Sequence, residues 1–168
     1  MITLKRILVT TDLSGYSLAA IEHATSLRLL YDAKLFVLYV QEDLAPIGLA
    51  LHNLYVDGDV YRKRTLREAE DDLRGFVSRA IDVHAHAIPV VRFGEAAAEI
   101  VRFADEERVD LVVMATHGRT GFKHVLMGSI AEKVVRTSRV AVLTVKPAPM
   151  QQDLLHREDI ERELHLKS

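Results

Sequence analysis

Short apolar runs and longer helical patterns alternate along this chain, and that alternation constrains its fold more than any other feature. Runs rich in branched residues recur as RILVTT (6–11), KLFVLYV (34–40), VDLVVMA (109–115) and VAVLTV (140–145). Such runs, apolar without strict alternation, are the pattern of strands buried on both faces. A fifth run, VHAHAIPVV (83–91), alternates and contains Pro89, whose missing N–H suits a sheet edge better than its centre. Between the runs lie helical stripes: Ala20, Ala24, Leu27 and Tyr31; then Leu66, Ala69, Leu73, Phe76, Val77 and Ala80; then Ala97, Ile100, Val101 and Ala104. Ser14 or Gly15 can start the first helix, Gly94 the third, and Ser129 opens the fourth, SIAEKVVRTS. Strands that alternate with helices need crossovers, which are right-handed and cover both faces of a parallel sheet. The expected fold is therefore α/β with five parallel strands, and its ligands belong at their carboxyl ends, where the strand order reverses.

Length and composition agree with one folded domain. At 168 residues the chain can bury one core and is short for two. With 49% hydrophobic and 27% charged residues and a mean hydropathy of +0.07, it falls in the globular class. A formal net charge of −2 gives no general electrostatic reason to bind nucleic acid. The absence of cysteine rules out disulfides and thiolate metal sites and fits a reducing compartment. No signal peptide is read in MITLKRILVTTD, and no apolar stretch reaches a membrane span, so a cytoplasmic protein without membrane contact is expected. Residues 1–146 are read as the domain. The segment 147–168 is read as a tail, either a short helix or frayed chain, and 41–58 as a long connection that overhangs the strand ends.

Two stretches carry the chemistry. In VDLVVMATHGRTGFKHVLMGSIAEKVV a strand ends at Ala115, glycines follow at 118 and 121, and a helix restarts at Gly128–Ser129. Unpaired N–H groups and the positive dipole end at such a start attract anions, and His117, Arg119, Lys123 and His124 add positive charge nearby. The Ser129 hydroxyl could cap the helix or donate to a phosphate oxygen; a plain strand-to-helix connection has the same spacing. In VTTDLS, Asp12 stands at the end of the first strand, where its carboxylate could accept from a ribose hydroxyl or cap the helix that follows. Neither a P-loop nor a G-x-G-x-x-G pattern occurs. His84 and His86 stand two apart on the fifth run without a third ligand at a telling spacing, so no metal site is assigned; no catalytic residues are assigned either, since no base and orienting partner accompany Ser129 or His117.

Together, ILVTTDLS, MATHGRTGFKHVLMGSIAEKVV and VAVLTVK resemble the universal stress protein family over residues 4–146. The pattern of its ATP-binding branch, G-x2-G-x9-G-S/T, is matched in spacing by Ala115, Gly118, Gly128 and Ser129, with alanine in place of the first glycine. The resemblance implies a Rossmann-like three-layer sandwich with strand order 3-2-1-4-5, an adenine nucleotide (ATP with magnesium) between the first and fourth strand ends, and a homodimer. By that resemblance Asp12 would meet the ribose, with Thr10 and Thr11 beside it, Val40 would hold adenine through its backbone, and Met114 would pack by the base. Ala115, His117 and Gly118 would line the phosphate path, closed by Gly128, Ser129 and Ile130 through backbone N–H groups and the Ser129 hydroxyl, and Arg119 matches a common family residue at the loop turn beside it. The function expected is that of a stress-response protein acting as a nucleotide-dependent sensor or regulator. The alternatives are a nucleotide-independent dimeric interaction module with an unknown protein partner, or a slow ATP hydrolase. The dimer is expected to form through strand 140–145, because a bare apolar edge invites pairing.

Overall fold

The computed structural model describes residues 3–42, 58–82, 85–117 and 127–147. In chain order these give β1 (Arg6–Thr11), α1 (Leu18–Tyr31), β2 (Lys34–Gln41), α2 (Gly58–Ala80), β3 (Ala87–Phe93), α3 (Ala96–Glu106), β4 (Leu111–Ala115), α4 (Ser129–Thr137) and β5 (Ala141–Val145). A 3-10 turn, Gly15–Ser17, leads into α1. The strands form one sheet in the order β3-β2-β1-β4-β5, and every neighbouring pair is parallel. The expected architecture and strand order are those observed.

The continuous apolar runs have a plain cause, since alternate side chains of the central strands serve two cores. Ile7, Val9, Leu35, Val37 and Val113 pack with Ala20, Ile21 and Ala24 of α1 and with Leu73 and Phe76 of α2. Leu8, Phe36, Leu38, Val112 and Met114 face the other way, onto Ile100 and Phe103 of α3 and Ala131 and Val134 of α4. Phe36 and Phe103 meet edge to face, with ring centroids 5.3 Å apart at 81°, a geometry contributing about 0.5–1.5 kcal/mol beyond the area it buries.

The boundaries differ from the sequence reading in places. β3 starts at Ala87 rather than at residue 83, and His86, at φ 44°, precedes it in a left-handed conformation. His86 is therefore not on the strand, and its proposed partner His84 lies outside the described residues. The edge position given to Pro89 holds, for β3 pairs with β2 alone. Gly94 does not start α3. Glu95 is the N-cap and accepts from Ala98 N, while Gly94, at φ 148°, makes the turn before it. Tyr31 closes the first stripe half out in solvent, and Phe103, absent from the third stripe, is buried.

At its amino end the seam between β1 and β4 is stitched by one side chain. Asp110 Oδ2 accepts hydrogen bonds from Lys5 N at 2.7 Å and Arg6 N at 2.8 Å, and Asp110 N donates to Arg6 O at 2.9 Å.

Candidate functional site

At its carboxyl end the same seam comes apart. The β1–β4 register runs from Ile7↔Leu111 only to Val9↔Val113. On either side pairing goes further, from β1 to β2 as far as Thr11↔Tyr39 and from β4 to β5 as far as Ala115↔Val145. Thr10 and Thr11 thus lean with β2 while Met114 and Ala115 lean with β5. A crevice opens where the strand order reverses, the place where open α/β sheets take ligands. Its cavity measures about 420 Å³, within the usual range of roughly 300–1,000 Å³ for small-molecule sites.

Ten of the residues singled out in the sequence line this one cavity. Thr10, Thr11 and Asp12 come from the end of β1 and Val40 from β2. Met114 and Ala115 end β4, His117 follows them, and Gly128, Ser129 and Ile130 head α4. Gly118 and Arg119 lie outside the described residues, as do Lys123, His124, the connection 43–57 and the tail 148–168.

The cavity has two kinds of wall. Leu38, Val40, Ile100, Met114, Ile130 and Ala131 form an apolar side, continuous with the α3–α4 core. Thr10, Asp12, Ser17, His117 and Ser129 form a polar side. Such a cavity accepts a ligand with a flat apolar part and a hydroxylated or anionic part.

The turn after β1 is set by hydroxyl groups. Asp12 Oδ1 accepts from Ser14 N at 3.1 Å and from Ser14 Oγ at 2.6 Å. Of the two roles read for Asp12, capping a helix is therefore not the one seen, because the carboxylate closes a turn ahead of the helix. Between these residues Leu13 holds φ 65°, which for a residue with a side chain costs about 1–2 kcal/mol. Its N–H donates to Thr11 Oγ1 at 2.9 Å, which holds the backbone there.

The turn before α4 depends on a close approach. Thr116 N donates to Val145 O at 2.9 Å, and Gly128 N donates to Thr116 O at 2.7 Å. A Cβ at residue 128 would stand 3.1 Å from that carbonyl oxygen, a tight contact that glycine avoids, while its φ of −66° is ordinary. Gly128 is the N-cap and Ser129 the first helical residue, so the capping role read for Ser129 is taken by its neighbour. The first amides of α4 have no carbonyl within the helix to bond, as at any helix start. His117 is buried with Nδ1 3.0 Å from Thr116 Oγ1. Ala115 is absent from the non-glycine residues with positive φ, and its methyl packs against the α1-side core. The backbone demand that would make alanine costly at that position is not present.

Glu95 ties the two helices of the apolar wall together. Its hydrogen bond from Ala98 N, chiefly, and Lys133 of α4 at 3.2 Å hold its carboxyl below the usual glutamate value, against a smaller opposing effect of burial. Among the described residues no group of three or more His, Cys, Asp or Glu is placed to hold a metal ion, and no helix is long and apolar enough to cross a membrane.

The sequence reading missed part of the lining. Ser17, Tyr39, Gln41, Glu42 and Ala96 also face the cavity. Ile100 and Leu38 read from the sequence only as core, because periodicity reports burial and says nothing of which buried residue borders a void. Ser17 carried no signal except its spacing after Ser14.

A doubly wound parallel sheet with a two-walled cavity at its switch point defines an α/β protein of the Rossmann-like class. The universal stress protein family model matches residues 3–146. The chain belongs to that family. It is 31% identical over 146 residues to the universal stress protein MJ0531 of Methanocaldococcus jannaschii, covering 84% of this chain and 82% of that one. It is 27% identical to MJ0577 of the same organism, covering 84% and 94%. The solved structure of MJ0577 matches with a TM-score of 0.71 at 24% identity over 86% of this chain and 97% of that one, a likeness of fold. A universal stress protein solved in complex with cAMP matches with a TM-score of 0.56 at 26% identity, over 88% and 100%.

Proposed function

We propose that the crevice takes an adenine nucleotide, ATP together with magnesium, and that its occupancy biases the conformation or the partners of the protein. The chain would then act as a nucleotide-dependent sensor or regulator in a stress response. The observation that carries this reading is the parting of β1 and β4 after Val9↔Val113, with an apolar wall on one side and hydroxyls, a carboxylate and a helix start on the other. In this reading the base lies against Met114 and the main chain of Val40. Asp12 accepts from the ribose, with Thr10 and Thr11 beside it, and the phosphates follow Ala115 and His117 to the head of α4, where Gly128 closes the path and the amides of Ser129 and Ile130 and the Ser129 hydroxyl donate. Gly118 and Arg119 would complete the phosphate path. The head of α4 supports it, because its first helical amides have no partner within the helix and its positive dipole end favours an anion. So does the relative solved with cAMP. Magnesium enters as the companion of the phosphates, which bind it with few protein oxygens.

Isothermal titration with ATP and magnesium tests the reading. Binding is expected in the wild-type protein, and Gly128→Val should weaken it at least about 100-fold, the equivalent of roughly 2.7 kcal/mol, while the variant still melts cooperatively. A wild-type protein that gives no heat with ATP at high micromolar concentration overturns it.

A homodimer through β5 is the second part of the proposal. This edge carries Leu143 at 36% exposure, with Val135 of α4 at 44%, and has no proline or charge within the strand. The opposite edge, by contrast, is interrupted by Pro89. Sedimentation should show a dimer that Leu143→Asp converts to monomer, and a monomeric wild-type protein would remove this part. The same edge favours an alternative in which the dimer binds a protein partner without nucleotide. Partner capture unchanged in Gly128→Val would select it.

A further inference from the structure

We propose that Ser17 is a positioning residue that sets the preference of the site for a ribose over a deoxyribose sugar, acting through Asp12. This rests on the nucleotide reading of the crevice and adds to it the source of its sugar selectivity.

The argument is one of proton accounting. Ser17 is 3% exposed and lies 2.7 Å from Thr11 Oγ1, a distance at which either hydroxyl could donate. The Ser17 hydroxyl has one proton, and it is directed to Ser14 O at 2.8 Å. Thr11 must then donate to Ser17, which leaves Thr11 Oγ1 as the acceptor for Leu13 N. The order is fixed from end to end: Leu13 N–H to Thr11, Thr11 to Ser17, Ser17 to the carbonyl of Ser14. Ser17 N donates to that same carbonyl at 3.2 Å, so Ser14 is held twice from one residue. Ser14 in turn gives both its N–H and its hydroxyl to Asp12 Oδ1.

The residue that gives two hydrogen bonds to the Asp12 carboxylate is therefore itself held by a side chain five residues from Asp12. A sugar hydroxyl meets an acceptor already oriented for it, and the cost of ordering that acceptor on binding is removed. The benefit reaches only ligands that have the hydroxyl, because an analogue without it makes no use of the orientation. A residue that merely supports the fold would weaken all nucleotides alike.

Two measurements on the full chain test the proposal. Titration of ATP, 2′-deoxy-ATP and 3′-deoxy-ATP should show that Ser17→Ala loses about tenfold for ATP, the size of one hydrogen bond to a charged group. The deoxy analogue lacking the recognised hydroxyl should change less than about twofold. In an Asp12→Ala background, Ser17→Ala should have no further effect on ATP. Equal losses for all three nucleotides, or a full additional loss in that background, overturn the proposal. Amide exchange in the free protein gives the second measurement. Ser17→Ala should speed exchange at Leu13 and Ser14 about tenfold while leaving the β1 amides unchanged; unaltered exchange at those two amides overturns it without reference to any ligand. If exchange responds and the wild-type protein binds no nucleotide, the nucleotide reading fails and the positioning of Asp12 by Ser17 stands.

Discussion

The two ends of the β1–β4 seam are built from opposite materials. At the amino end a single carboxylate, Asp110, gathers the N–H groups of Lys5 and Arg6 and draws the strands together. At the carboxyl end the strands stop pairing after Val9↔Val113, and hydroxyl side chains take over from the ladder. The closed end supplies stiffness, and the open end leaves main-chain groups and small side chains around a void. A binding crevice in this fold is thus a place where a regular ladder is ended early and the loss is made good by local polar contacts.

The largest test of that contrast is at the closed end. Asp110→Ala removes the acceptor of two backbone donors at an exposed site, and should lower stability by about 1–2 kcal/mol, a fall in Tm of several degrees by thermal melting. Nucleotide affinity should stay within about twofold, since nothing in the crevice is touched. A matching loss of affinity would show that the two ends are not separable. Next comes Ala115→Gly. Alanine here is in extended backbone with its methyl on the α1-side core, so glycine should cost about 0.5–1 kcal/mol through chain entropy and leave ATP affinity unimproved. A tenfold gain would mean that the methyl does obstruct the ligand.

The smallest effect belongs to Glu95. Its folded carboxyl titrates below the usual glutamate value, so the stability it contributes is complete above the unfolded pKa and is lost as pH falls through the lowered folded one. Glu95→Ala should cost less than about 1 kcal/mol at neutral pH, since cap and ion pair are both exposed to solvent. The difference from wild type should fade in acid, and urea melts at neutral and acid pH measure it. A difference that grew on acidification would reverse the sign argued here.

Much of this was legible in the order of residues. The double burial of Ile7, Leu8 and Val9 made RILVTT read as a central strand, and Pro89 marked an edge, because both properties are local and chemical. The gathering of Asp12, Met114 and Gly128 around one void follows the family resemblance, which implied both the strand order and the place of Met114. What could not be read was the geometry of contact. Gly128 read as part of a helix start, and nothing in the sequence told that it lies close against the Thr116 carbonyl. Ser129 looked like a cap and is inside the helix. Ser17 and Ala96 reach the cavity through a turn and a helix start, where a shift of one residue redirects a side chain and periodicity has nothing to say.

Thr116 faces two ways, for its N–H hangs from the last residue of β5 and its carbonyl carries the glycine that heads α4. The outer border of the sheet and the mouth of the crevice are therefore two hydrogen bonds apart. A displacement of the border strand pulls on the head of α4 through that one residue, as a lever turns about its pin. Anything that grips the border, a twin chain included, also holds the rim where a ligand would enter.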